Sequence, residues 1–202
     1  MDLKIEVYME YLKASELSFC PRGQMGDVFA DGFYQWLKIF SRDKKRLARA
    51  LDHMFDLDRF YVAVENGKIA GFASCGQKPS PVSFDKRTLR KVLGFIRGSI
   101  TYIALTKNLV NGTYPFELLP QTGSVEFVTV APEFRGRGVA GGLVAHVMEV
   151  SGYSEFVLEV ADTNTSAVKA YEKLGFEGFL QKPAPKGSGF NHFVYMKKSG
   201  TC

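Results

Sequence analysis

Three sets of residues in this chain have types and spacings that suit chemistry. The first is the cluster Arg135-Gly136-Arg137-Gly138-Val139-Ala140-Gly141-Gly142. Glycines at a helix start let a ligand come close to the backbone, and the free N–H groups and positive dipole end found there favour a phosphate. A phosphate-bearing cofactor is expected at this bend. The second set is Asn164 and Tyr171, seven residues apart and thus about two helical turns, with Ala167 and Ala170 keeping the shared face shallow. An amide at a helix start can bind a ligand's arm, and a phenol two turns on can hand a proton to an atom beyond it. The third set is Glu126 and Glu159. A carboxylate in a central strand is costly unless it is paired or set at a cleft, so each is a candidate base, directly or through water. For each the competing reading is a salt bridge or a solvated strand end.

The elements that must position these residues follow from periodicity. Residues 125–130 are β-formers, Ala131-Pro132 breaks them, and a helical pattern runs on through Val150. Val139, Leu143, Val147 and Val150 share one face of that helix, suited to pack on a sheet. Glu126 is expected to share a strand face with Val128 and Val130. Residues 156–161 form another strand, on which Glu159 opposes Phe156, Leu158 and Val160, and a helix opens at Asn164. Residues 177–180 and 190–196 read as two last strands joined by a Pro- and Gly-rich loop, a connection of the kind that carries function.

Upstream, residues 3–12 alternate in part and predict a first strand. Helical spacing follows over 24–40, with Phe29, Phe33, Trp36 and Phe40, and again over 43–55. Residues 59–64 and 69–75 flank Glu65-Asn66-Gly67-Lys68, a hairpin whose Asn-Gly supplies the positive φ angles of a tight turn. Residues 79–120 carry Leu89, Val92, Leu93, Ile96, Ile100 and Ile103 in steps of three, four and one, as one long helix or two broken near Gly94 and Gly98. Its Arg and Lys residues predict a solvated face. His146 and His192 read as structural.

The whole chain sets bounds. Its 202 residues suit one domain with a sizeable core. A net charge of +5 fits an anionic cofactor as well as a nucleic acid, but no zinc finger and no basic and aromatic RNA-binding signature supports the latter. Cys20, Cys75 and Cys202 are odd in number and far apart, which predicts neither a disulfide framework nor a metal site and fits a reducing cytoplasm. No signal peptide and no membrane-length apolar span is evident.

Two motifs overlap at the glycine cluster. Gly136, Gly138 and Gly141 spell G-x-G-x-x-G, a dinucleotide-binding pattern, with Glu159 at about the expected distance beyond. In that pattern the turn follows the strand at once, whereas here residues 131–135 intervene and too little chain follows. The other reading is Arg135-x-x-Gly138-x-Ala140, which resembles the pyrophosphate-binding motif R/Q-x-x-G-x-G/A of the GCN5-related N-acetyltransferase superfamily. Downstream, Asn164-x-x-Ala167-x-x-x-Tyr171-x-x-Leu174-Gly175-Phe176 is similar to that superfamily's second cofactor-contacting segment, after a strand containing Leu-Glu-Val. The upstream phrase Y-V-A-V-E-N-G-K-I-A-G-F resembles its paired second and third strands.

The resemblance implies an α/β (α+β) fold. One domain over residues 1–202 would hold a mixed, mostly antiparallel twisted sheet splayed between strands 4 and 5, flanked by helices, with 79–120 a helical insertion between strands 3 and 4. It implies acetyl-CoA as co-substrate and no metal. Val128, Thr129 and Val130 would contact the cofactor arm through their main chain. Arg135, Gly136, Arg137, Gly138, Val139, Ala140 and Gly141 would cradle its pyrophosphate, with Arg137 and Lys173 as phosphate partners, and Asn164, Ala167 and Tyr171 would complete the site. Tyr171 would protonate the leaving thiolate, with Glu159, favoured by its Leu-Glu-Val position, or Glu126 as base. The implied activity is direct acetyl transfer to a primary amine, with a small molecule as acceptor. The rivals are a non-catalytic acyl-CoA sensor, a protein N-terminal acetyltransferase and a nicotinamide enzyme. No nucleic-acid or membrane partner is expected, and the insertion either walls the acceptor pocket or makes a homodimer contact.

Overall fold

The computed structural model describes residues 8–185 and 187–199. Seven strands form one sheet in the order β1-β2-β3-β4-β5-β7-β6, namely β1 (Glu10–Lys13), β2 (Phe60–Glu65), β3 (Lys68–Gly76), β4 (Thr122–Val130), β5 (Glu155–Ala161), β6 (Glu177–Pro183) and β7 (His192–Ser199). Every neighbouring pair is antiparallel except β4 and β5, which run parallel. Of the strand expected over 3–12, residues 3–7 lie outside the described residues, and β1 starts at Glu10 and runs to Lys13. Asn66 and Gly67 take φ of 53° and 71°, as the hairpin requires.

Two helical layers cover the sheet. Helix α1 (Arg22–Gly32) packs on β3 and β4 with Phe29 stacked among Phe55, Phe33 and Phe127. Helix α6 (Val139–Val150) packs on β2, β3 and β4, burying Val139, Leu143, Val144 and Val147, while Val150 at its last turn is exposed. Phe60 faces the α1 layer through Phe55 and Phe127, whereas its neighbour Tyr61 meets His146 of α6. Adjacent strand residues point to opposite faces, so the layers lie on opposite sides.

Several expected helices are divided. The pattern over 24–40 splits into α1 and a short α2 (Tyr34–Leu37). The chain presses so closely on β4 there that a Cβ on Gly32 would fall 2.1 Å from Thr129 Oγ1. The pattern over 43–55 becomes α3 (Lys44–Leu51), capped by Asp43, whose Oδ1 accepts from Arg46 N at 3.0 Å, and then a 3-10 turn. Between β3 and β4 stand α4 (Lys86–Leu93), capped by Asp85, and α5 (Phe95–Leu105), followed by a π-helical turn, Thr106–Val110. The break is at Gly94, φ 92°. Gly98 lies inside α5, where a Cβ would meet Leu89 O at 2.5 Å, so it permits a close crossing of α4 and does not interrupt the helix.

Candidate functional site

The parallel ladder between β4 and β5 runs from Thr122 opposite Glu155 to Val125 opposite Leu158 and stops. On its other side β4 stays paired with β3 as far as Val130 opposite Gly71. Beyond Val125 the β4 main chain therefore has an open edge facing β5, on a stretch that includes Val128, Thr129 and Val130. The next residues past the last pair are Glu126 and Glu159, at the crotch of the fork.

A bulge sits at the same place. Phe127 has φ 56°, a strained value for a side chain with a ring, and the register with β3 slips between Phe72 and Ser74. Glu126 and Phe127, neighbours in sequence, both line one cavity of about 670 Å³, which unbroken strand alternation forbids. The expectation that Glu126 shares a face with Val128 and Val130 fails for this reason. Those valines do not line the cavity, and Thr129 is buried against Gly32.

Glu126 is held by two hydroxyls. Ser124 Oγ lies 2.6 Å and Tyr114 Oη 3.2 Å from its Oε1, and the two hydroxyls lie 2.8 Å apart. Burial, reinforced by the charge of Glu126, pushes the Tyr114 phenol well above its ordinary pKa, so it stays a donor. Glu159 also opens onto the cavity. Desolvation by the surrounding protein raises its pKa, a hydrogen bond with Tyr195 lowers it, and the charge of Glu126 raises it further. Tyr195 stands opposite Glu159 in the β5–β7 register. Its phenol too is raised, by burial and by Glu159.

Sequence reasoning missed Tyr114 and Tyr195. Tyr195 alternates correctly on the last strand, but its register against Glu159 is a long-range fact. Tyr114 belongs to the irregular stretch after the π turn and carries no local signal. Phe116 beside it packs edge-on to Tyr195 at 5.6 Å and Phe179 at 5.0 Å, which docks that stretch across the sheet.

On the α6 side the glycine bend is open. Gly136 and Gly138 have φ of 77° and 79°, left-handed values that a side chain would strain. Gly141 has no such φ, and a Cβ there would meet nothing within 4 Å, whereas one on Gly142 would fall 2.1 Å from Tyr11 Oη. Internal packing thus explains Gly142 and leaves Gly141 without a reason inside the protein. Val139 buries its side chain and Ala140 is half-buried, so the first turn of α6 offers main-chain N–H groups that have no intrahelical partner.

The arginines of the bend are engaged. Arg135 Nη2 pairs with Asp31 at 2.5 Å and its Nε donates to Val130 O at 3.2 Å. Lys44 with Arg135 holds the Asp31 carboxyl below its usual range. Arg137 forks onto Glu65 and lies 5.1 Å from the Phe134 ring centroid. As described, Arg137 is an ion-pair partner within the protein, and Lys173 is exposed at the last turn of α7 (Thr165–Lys173).

Asn164 caps α7: its Oδ1 accepts from Ala167 N at 3.3 Å and Ser166 Oγ at 3.1 Å, so what it can offer a ligand is its amide nitrogen. Ala167 is half-buried. Tyr171 is buried, packs against Phe176 with centroids 6.1 Å apart, and does not line the large cavity. Burial pushes its phenol up to about 12. None of the three histidines lines the cavity. His146 packs between Tyr11 and Tyr61, His192 Nδ1 lies 3.4 Å from Asp162, and His53 Nε2 accepts from Asp85 N at 2.9 Å. Among the described residues no helix is long and apolar enough to cross a membrane, and no three His, Cys, Asp or Glu residues gather as a metal site would require.

A mixed sheet forked between two parallel strands, with a glycine-started helix on one face and a carboxylate-floored cavity on the other, defines an acyltransferase-like α/β architecture. The chain belongs to the Acetyltransferase (GNAT) family, whose description matches residues 27–176. Solved structures similar to it include yncA of Salmonella typhimurium, seen with its cofactor acetyl-CoA, at 17% identity, TM-score 0.53, and coverage of 96% of this chain and 93% of that one. A GCN5-related N-acetyltransferase from Kribbella flavida is 18% identical, TM-score 0.55, covering 95% and 97%. The ribosomal-protein-alanine N-acetyltransferase of Brucella melitensis is 15% identical, TM-score 0.54, covering 95% and 99%. These likenesses show the fold. A curated relative, ML0378 of Mycobacterium leprae, is 29% identical over 114 residues, 54% of this chain but 30% of that protein, so the chain matches under a third of its relative's length.

Proposed function

We propose that this chain is an acetyl-CoA-dependent N-acetyltransferase that acetylates a primary amine. The observation that carries the reading is the fork: the ladder ends at Val125 and Leu158 with Glu126 and Glu159 at its crotch, and an open glycine bend lies on the far face. The residues present fit the cofactor. Main-chain groups of Val128, Thr129 and Val130 would hold its extended arm. The N–H groups of Gly136, Gly138, Val139, Ala140 and Gly141 would hold its diphosphate, into the space a Gly141 side chain would fill. Arg135 and Arg137 shape that bend through Asp31 and Glu65, and Asn164 and Ala167 at the start of α7 would contact the cofactor. Bound acetyl-CoA supplies an activated acetyl thioester.

The chain's own groups then divide the work. An acceptor amine of lysine-like pKa, about 10.4, arrives protonated. Glu159, with its raised pKa, takes that proton directly or through water, while Glu126, fixed by Ser124 and Tyr114, steadies the ammonium beforehand. Main-chain N–H groups at the open edge of β4 steady charge developing on the carbonyl oxygen. Tyr171 is the family-matched donor to the departing sulfur. A phenol near 12 set against a thiol near 8.5 makes full proton transfer uphill by roughly 5 kcal/mol, so Tyr171 acts by hydrogen bond. Tyr171→Phe then lowers kcat by only about tenfold, on the scale of one hydrogen bond, with acetyl-CoA affinity kept. Action in a reducing cytoplasm suits the free Cys20 and Cys75.

Release of free thiol from acetyl-CoA, followed across a panel of amines, tests the assignment. Tight acetyl-CoA binding with no turnover on any amine would overturn it in favour of a sensor. Thermal protection by NAD and not by acetyl-CoA would overturn it in favour of a nicotinamide enzyme.

A further inference from the structure

We infer that the acceptor is a compact amine carrying one positive charge on an aromatic or branched apolar body, bound in the cavity on the α1 face. This rests on the acetyltransferase reading above and narrows it.

Three segments supply its apolar walls. Phe29, Phe33, Trp36 and Phe40 come from α1, α2 and the residues joining and following them, Phe190 from the loop before β7 and Phe193 from β7. The stretch after α5 closes the third side with Leu109, Tyr114 and Leu118. A volume of about 670 Å³ lies within the range of small-molecule sites. The acidic residues lining it are Glu126 and Glu159, side by side at the fork, so negative charge is concentrated at one end.

The cations in the lining, Arg59 and Lys78, are turned onto main-chain carbonyls at its rim. Arg59 donates to Gln77 O at 2.5 Å and to Pro79 O, and Lys78 donates to Val110 O at 3.1 Å and to Gly112 O. A free amino acid that set its ammonium at the fork would bring its carboxylate into the apolar walls near two glutamates, while the lining cations hold main-chain carbonyls. Several polar lining side chains are turned onto the main chain. Ser74, Gln77, Ser80 and Asn108 each donate to a main-chain carbonyl. A polyhydroxylated aminoglycoside would lose water and find few partners, and a polyamine would find carboxylates at one end only. An ammonium at Glu126 and Glu159 with a ring among the phenylalanines satisfies both ends.

The test is a comparison of kcat/KM for phenethylamine and tryptamine with spermidine, lysine, kanamycin and an alanyl peptide, together with calorimetric binding of each amine in the presence of CoA. The expected result is an aromatic amine preferred by at least about tenfold, the scale of burying one ring. Trp36→Ala and Phe33→Leu should raise KM for phenethylamine more than they lower kcat, with the half-exposed Trp36 giving a variant that keeps its fold. Preferential turnover of spermidine, kanamycin, lysine or the peptide overturns this inference and leaves the acetyltransferase reading standing. Binding of phenethylamine without turnover of any amine upholds the ligand class assigned to the cavity and overturns that reading.

Discussion

The two faces of the forked sheet are built in opposite ways. The glycine bend on the α6 face is nearly contiguous: strand, turn and helix start lie within residues 125–141, and their geometry follows from local rules about proline, glycine and helix ends. The cavity on the α1 face is assembled from segments around residues 29–40, 59, 74–81, 104–118, 124–127, 159–161 and 185–193. A site made by one short segment is set by backbone conformation and reads a shared group such as a phosphate. A site made where many segments converge is set by tertiary packing, and on the proposed reading selectivity for an acceptor would reside there.

Substitutions on the two faces should therefore fail differently. The largest effect is expected at Glu159→Gln, a loss of about 10²- to 10⁴-fold in kcat/KM with acetyl-CoA affinity unchanged. Activity of the unaltered protein should rise with pH through a value above that of an ordinary glutamate, because the cavity walls desolvate the Glu159 carboxylate and raise its pKa although the side chain stays accessible to solvent. The stability effect has the opposite sign. A carboxyl whose folded pKa is raised costs the fold nothing below the unfolded value and progressively more as pH climbs to the folded one, so Glu159→Gln should raise Tm at neutral pH. An unchanged rate would remove Glu159 as base.

Next comes Gly141→Leu on the other face. With nothing within 4 Å of the added Cβ and a better helix former in place, stability should hold or improve by up to about 1 kcal/mol. Acetyl-CoA affinity should fall by about tenfold or more, since the side chain would occupy the space assigned to the diphosphate. Calorimetry showing unchanged affinity would end the cradle assignment.

Tyr114→Phe deletes a donor to Glu126 and a hydroxyl neighbour of Ser124. It should cost about 1–3 kcal/mol of stability and lower kcat several-fold, linking the stretch after α5 to chemistry at the fork. The smallest effect belongs to Asp31→Asn, which loosens Arg135 and Lys44 at a partly exposed pair worth less than about 1 kcal/mol. Its sign is definite: Asp31 has a depressed folded pKa, so its stabilisation is present above about pH 4 and lost as pH falls through the lower folded value. Urea melts at pH 7 and pH 3 should show the difference between Asp31→Asn and the parent shrink.

Much of the fold was legible because its signals are local. The Asn66-Gly67 hairpin, the strand-to-helix passage after Val130 and the Asn164 helix start each rest on residues within one or two turns. Helix ends were less so. Gly98 reads as a breaker on propensity alone and proves to be a packing contact, because only the nearby α4 backbone gives its missing side chain a purpose. The strand face of Glu126 was misread because the bulge at Phe127 depends on β3 alongside it.

The chain's own residue order determined the glycine bend, the two carboxylates and the family to which they point, since each follows from spacing that short-range sterics and hydrogen bonding translate directly into shape. Only the folded molecule decided that Glu126 is tied to Tyr114, that Glu159 faces Tyr195, and that Arg59 and Lys78 reach main-chain carbonyls. Those are contacts across tens of residues, chosen by which surfaces can be buried together, and no local rule encodes them.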